Sequence, residues 1–166
     1  MWQDVEREPV GPGEESVWDY PRPPRVERVS KRLEVYFNGV KLADTTRAYH
    51  VLETSHPPVY YFPPGDVATE HLEEADLSTF CEWKGTASYF NVRVGGKAAQ
   101  NAAWTYIDPT PGFREIAGYI AFYPALVDEC RVDGVKAAPQ PGGFYGGWIT
   151  PEIKGPFKGE TGTRGW

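Results

Sequence analysis

Leu33-Glu34-Val35-Tyr36-Phe37-Asn38-Gly39-Val40-Lys41-Leu42 decides the fold class. Leu33, Val35 and Phe37 alternate with Glu34 and Tyr36, the period of two that marks a half-buried strand. Asn38-Gly39 supplies the two positive-φ residues of a tight hairpin turn. Val40 and Leu42 then resume the alternation on the return strand.

Working outward, strands are expected over 48–52 and 59–62. The second is stopped at both ends by Pro57-Pro58 and Pro63-Pro64, because proline has no N–H to pair. Residues 86–94 read as a strand, Gly95-Gly96 as a turn and 102–106 as the return strand. The apolar run 116–123 has the character of a buried strand, and 130–136 that of a small hairpin about Asp133-Gly134. One short helix is expected near 66–76. Asp66 is of N-cap type, and Ala68, Leu72 and Ala75 fall on one face at helical spacing, with Glu70, Glu73 and Glu74 directed away. The expectation is a mainly β, compact, single-domain antiparallel architecture.

Residues 1–30 form a Pro-rich arm, 31–137 the β core and 138–166 a tail rich in Gly and aromatic residues, packed on that core. Tyr20-Pro21-Arg22-Pro23-Pro24-Arg25 is extended, since each proline turns its predecessor away from helix. It has the look of a polyproline ligand, or of an arm lying on its own domain. In the tail, Gly142-Gly143-Phe144-Tyr145-Gly146-Gly147-Trp148 holds little regular structure. Its glycines let the backbone pass close to a surface that its rings anchor, either the domain's own or that of a second subunit in a homo-oligomer.

The chain has 166 residues, the size of one ordinary domain, and its 40% hydrophobic content supports a core. No apolar run approaches the ~18–20 residues of a spanning helix. The start of the chain is acidic, without the basic and apolar regions of a signal peptide, so a cytoplasmic location is expected. A net charge of −6 and the lack of any basic cluster disfavour nucleic acid and anionic membrane as partners. Cys81 and Cys130 make neither a disulfide framework nor a paired zinc site. His50, His56 and His71 lack metal-ligand spacing, so no metal is expected, and the residues name no cofactor.

Three groupings could carry chemistry. Cys81-Glu82-Trp83-Lys84-Gly85 places a thiol three residues before an ammonium, and a nearby cation makes a thiolate more available; a buried, inert cysteine is the other reading. Glu53-Thr54-Ser55-His56 brings a carboxylate, two hydroxyls and an imidazole together, suited to acid–base work or to a self-satisfied turn. Tyr60, Tyr61, Trp83, Tyr89, Trp104 and Tyr106 are spread over adjacent expected strands. Residues of equal parity share a sheet face, so Trp104 and Tyr106 point one way, as do Trp83 and Tyr89 if one strand spans both. Aromatic walls with a few polar groups are the material of small-molecule sites; core packing claims some of these rings.

Several segments together resemble the family of domain of unknown function 427. They are Glu15-Ser16-Val17-Trp18-Asp19-Tyr20-Pro21, Ala43-Asp44-Thr45, Leu52-Glu53-Thr54-Ser55-His56-Pro57-Pro58, Tyr60-Tyr61, Cys81-Glu82-Trp83-Lys84-Gly85, Ala103-Trp104-Thr105-Tyr106 and Ile120-Ala121-Phe122-Tyr123. The tail around Gly142-Gly143-Phe144 resembles that of a long form of the family. The resemblance implies a β-tent type of fold; the zinc that staples many β-tent proteins is held on two Cys-x-x-Cys pairs, and both are missing here. The family also bears a provisional nucleotidyltransferase label. The sequence holds no Gly-Ser followed by paired acidic ligands of the usual nucleotidyltransferase type.

The leading expectation is a domain that binds a small molecule or a modified residue between β-sheets. Tyr61, Trp83, Tyr89, Trp104 and Tyr106 would line the pocket, with Glu53, His56 and Lys84 as polar contacts. The alternatives are an enzyme, using Cys81 with Lys84 or Glu53 with His56, and an oligomerising scaffold joined through the tail.

Overall fold

The computed structural model describes residues 5–166; the first four residues of the Pro-rich arm lie outside the described residues. The architecture is mainly β, as expected. Asn38 and Gly39 turn the hairpin with φ of 47° and 78°. Leu33–Phe37 pairs antiparallel with Val40–Thr45, and the register shifts between Val35 and Tyr36. Leu33, Val35, Phe37 and Leu42 are all buried, the inward row that the alternation predicts. Glu129–Val132 adds to the free side of Leu33–Phe37, and Val135–Lys136 completes this four-stranded sheet after the turn at Asp133-Gly134.

A second four-stranded sheet runs in the order Ile120–Phe122, Lys97–Thr105, Gly85–Val94, Leu72–Cys81, antiparallel throughout. A third holds Arg25–Val29, Ala48–Leu52 and Val59–Tyr61. The end of the Pro-rich arm is thus a strand of a sheet. Phe62 and Ile120 exchange backbone hydrogen bonds of 2.8 and 2.9 Å, which ties the third sheet to the second.

Side-chain parity then sorts the rings into two interiors. Tyr60 and Phe62 face a main core with Phe37, Phe122 and Trp148. Tyr61, one residue out of phase, faces a second cluster with Val51, Tyr89, Trp104 and Tyr106.

The helix expected near 66–76 is reduced to two single 3-10 turns, Pro64–Asp66 and Thr69–His71, and the chain is strand from Leu72 onward. Asp66 caps no longer helix. Its carboxylate accepts hydrogen bonds from Thr45 Oγ1 at 2.7 Å and from Arg47 Nη2 at 3.0 Å. Leu72–Cys81 lies at a sheet edge, where Glu73, Glu74 and Asp76 are exposed. Charged side chains of this kind keep an edge from pairing with another chain. The run 116–123 divides into the end of the 3-10 segment Pro111–Ile116 and the strand Ile120–Phe122. Among the described residues no helix is long and apolar enough to cross a membrane.

In the tail, Ala138–Pro139 pairs with Trp148–Ile149, and Ile153–Lys154 runs parallel to Glu15–Ser16. Trp148 is fully buried, 5.0 Å from the Tyr60 ring, and its Nε1 donates to the Phe122 carbonyl at 3.2 Å. Tyr145 is half-buried and only Phe144 of these rings is exposed. The surface anchored by the tail is largely the domain's own.

Candidate functional site

One recess of about 240 Å³ lies between the second and third sheets, under the tail, and all nine sequence-selected residues line it. Tyr89 and Trp104 reach it as cross-strand partners on one face of the second sheet. Tyr61 and Val59 reach it from the third sheet, opposite Val51. Tyr106 follows directly after Lys97–Thr105 and keeps the parity of Trp104. The rings meet edge-on or tilted: Tyr61 to Trp104 at 6.3 Å, Tyr61 to Tyr106 at 6.4 Å and Trp104 to Tyr123 at 4.5 Å. Burial raises the phenol pKa of Tyr61, Tyr106 and Tyr123 above the ordinary value, so these hydroxyls stay protonated.

Trp83 is placed otherwise than by strand parity. It stands in the turn between Leu72–Cys81 and Gly85–Val94, so no single strand carries both Trp83 and Tyr89. Thr110 holds that turn: its Oγ1 donates to the Trp83 carbonyl at 2.6 Å and its N–H to the Lys84 carbonyl at 3.1 Å. Gly85, at φ 101°, takes a backbone conformation that side chains rarely adopt. The turn delivers Lys84 into the recess, its Nζ 5.7 Å from the Tyr106 ring centre. Burial acts to lower the Lys84 pKa, but its polar and acidic neighbours Tyr61, Cys81 and Glu53 outweigh it. The net shift is upward, so Lys84 is a cation at neutral pH. Cys81 is half-buried on the same wall, whereas Cys130 is buried in the main core.

The segment 53–56 divides between a backbone anchor and the recess. Thr54 and Ser55 satisfy a turn: the Thr54 and Ser55 N–H groups donate to the Pro21 and Val17 carbonyls at 3.2 and 3.1 Å, and Thr54 Oγ1 donates to the Tyr20 carbonyl. Glu53 and His56 line the recess. Arg22 of the Pro-rich arm pairs with Glu53 Oε2 at 3.1 Å and donates to the Thr54 carbonyl at 2.9 Å.

His56 is held in one tautomer by Gln140. The Gly147 N–H donates to Gln140 Oε1 at 3.1 Å, while Gln140 Nε2 donates to the Lys158 carbonyl at 2.9 Å. Backbone groups cannot exchange roles, so the amide has one orientation. Its second N–H donates to His56 Nδ1 at 2.9 Å, which puts the imidazole proton on Nε2. That Nε2 is 3.7 Å from Glu53 Oε2, beyond hydrogen-bond distance. Burial, with the charges of Lys158, Arg22 and Lys84, lowers the His56 pKa to about 3. A neutral ring with Nε2 protonated and Nδ1 occupied is a hydrogen-bond donor, not a ready base.

The residues that sequence reasoning passed over come from distant parts of the chain. Tyr123, Gln140, Tyr145, Gly146 and Lys158 also line the recess. Lys158 Nζ donates to the Trp166 carbonyl at 2.9 Å and lies 5.6 Å from the Tyr145 ring centre. The glycines at 146–147 were the one available signal: a Cβ at Gly147 would stand 2.5 Å from Pro57 Cγ, and one at Gly146 2.9 Å from Trp104 Cζ3. Both glycines are where the tail closes down on the recess. Among the described residues no three His, Cys, Asp or Glu side chains converge as a metal site.

No curated protein matches the chain in a sequence comparison. A family model does, over residues 25–133, which takes in both recess-bearing sheets and stops before the tail that covers them. The chain belongs to the family described as Domain of unknown function (DUF427).

Proposed function

We propose that this protein is a small-molecule binding domain whose ligand sits in the recess between Trp104 and Lys84. What supports the reading is convergence: five aromatic residues and three polar ones, chosen from separate segments, line one cavity. Its volume of about 240 Å³ is a little below that of drug-sized ligand pockets, which run from about 300 Å³ upward, and suits a smaller molecule. Its polar groups are held in place, Glu53 by Arg22, His56 by Gln140 and the Lys84 turn by Thr110, as a pre-formed site requires. A modified side chain presented by another protein is of suitable size, and Phe80 and Phe144, both exposed, flank the opening.

Native mass spectrometry of the purified protein, with a ligand-observed NMR fragment screen, tests this. Bound species should perturb the Trp83 and Trp104 indole signals. They should be lost when Gly146→Leu places a side chain in the recess against Trp104. A screen at millimolar concentrations with no binder for the recess would sink the proposal.

Thiol chemistry at Cys81 is the second reading, supported by the Lys84 ammonium that lines the same recess. A Cys81 that alkylates at pH 7 no faster than an unstructured thiol would remove it.

A further inference from the structure

We infer that the recess takes a small flat anion, a carboxylate carried on an aromatic or conjugated ring, with Lys84 meeting its charge. This rests on the binding reading above and names the class of ligand.

Sign comes first. A cavity walled by Trp and Tyr rings ordinarily suits a cation. Here two ammonium groups, Lys84 and Lys158, already line it. Glu53 is taken by Arg22 at 3.1 Å, and Glu82 is exposed. No carboxylate of the described residues forms an ion pair with Lys84 Nζ; Glu53 acts on it only from beyond that distance. A second cation would therefore meet repulsion, and an anion would supply the missing counter-charge.

Hydrogen-bonding capacity agrees. Lys84 offers donors only. His56 Nε2–H makes no hydrogen bond among the described residues, because Gln140 occupies Nδ1 and Glu53 is 3.7 Å away. The Tyr61 and Tyr106 hydroxyls line the same space with their protons retained. A carboxylate accepts only, and is the complement of such a set.

Size and shape complete the class. Lys158 already donates to the Trp166 carbonyl, and Lys84 alone, with no arginine in the lining and no glycine-rich turn opening a helix among the described residues, is poorly matched to a polyphosphate. The small volume points the same way. Acetate or inorganic phosphate would satisfy Lys84 but leave the faces of Trp104, Tyr89 and Tyr61 uncovered.

The test uses the full chain at pH 7 and five probes: benzoate, benzamide, benzyltrimethylammonium, acetate and inorganic phosphate. Calorimetry should find benzoate tighter than benzamide by about tenfold or more, the size of one charge-assisted hydrogen bond. Lys84→Met should erase that preference and leave benzamide binding in place; if this variant does not fold, the wild-type ranking decides. Benzamide or the ammonium binding as tightly as benzoate would overturn the anion while leaving the pocket standing. Acetate or phosphate equalling benzoate would overturn the ring. If no ring probe binds at millimolar concentration, the pocket reading itself falls, and this inference with it.

Discussion

Gln140 donates from Nε2 to Nδ1 of His56 across 2.9 Å, joining residues 84 positions apart. His56 lies inside the stretch matched by the family model and Gln140 lies beyond it. The tail therefore does more than cover the recess, since it sets which nitrogen of the imidazole carries the proton.

Stability should register this contact through pH. The folded pKa of His56, about 3, lies below the ordinary histidine value of 6.5. The unfolded chain thus binds the extra proton first as pH falls. The contribution of His56 is fully present above pH 6.5 and is lost progressively toward pH 3, with a slope approaching about 1.4 kcal/mol per pH unit near pH 5. Urea unfolding at pH 5 to 6.5, above the carboxylate range, should show that slope in the wild type. His56→Gln should remove it. Gln140→Glu should flatten it, because a carboxylate beside Nδ1 stabilises the imidazolium. An unchanged slope in both variants would contradict the assignment.

Gly146 tests how closely the tail is seated. A Cβ there would overlap Trp104 Cη2 and stand 2.9 Å from Cζ3, against ring atoms rather than a flexible side-chain end. Gly146→Ala should cost roughly 1–3 kcal/mol through overpacking. Gly112→Ala is the control, since a Cβ at Gly112 meets nothing within 4 Å and its φ is not in the left-handed region. Equal stability of the two variants would show the tail to be loosely held.

The fold was legible where one physical signal dominated. Leu33 to Leu42 carry a clean alternation and an Asn-Gly turn, and the strands formed there. Leu72 to Cys81 gave a false helical signal. An edge strand is only half-buried, so its apolar residues need not alternate strictly, and Leu72 with Ala75 happen to fit a helix. Of the site, the strand-borne rings were legible because parity assigns them to faces. Gln140, Lys158 and Arg22 were not, since each reaches the recess or its flank by tertiary closure that leaves no local pattern.

Trp148 makes the tail part of the core. It is 1% exposed and packs against Tyr60 and Phe62 at ring distances of 5.0 and 5.9 Å. Trp148→Ala should destabilise by about 3–5 kcal/mol, as other large-to-small core changes do. A chain ending before Ala138 should show lost or severely weakened cooperative unfolding. A stable, cooperatively folded truncated domain would refute this.

The two cysteines give a direct readout of the recess. Cys130 is 1% exposed, and burial, with the Glu129 charge, drives its thiol pKa far up, so it should resist alkylation until the protein unfolds. Cys81 is half-buried on the recess wall and within reach of solvent. Iodoacetamide on native protein should add one carbamidomethyl group, at Cys81. A ligand that fills the recess should slow that addition in proportion to occupancy, and benzoate should do so at lower concentration than benzamide. Because Cys81 and the Lys84 ammonium line the same recess, Lys84→Met should also change the labelling rate in the free protein. Labelling at Cys130 would contradict the buried placement. Labelling of Cys81 that ignores every ligand bound elsewhere in the same titration would show that the ligand site and the recess are different places.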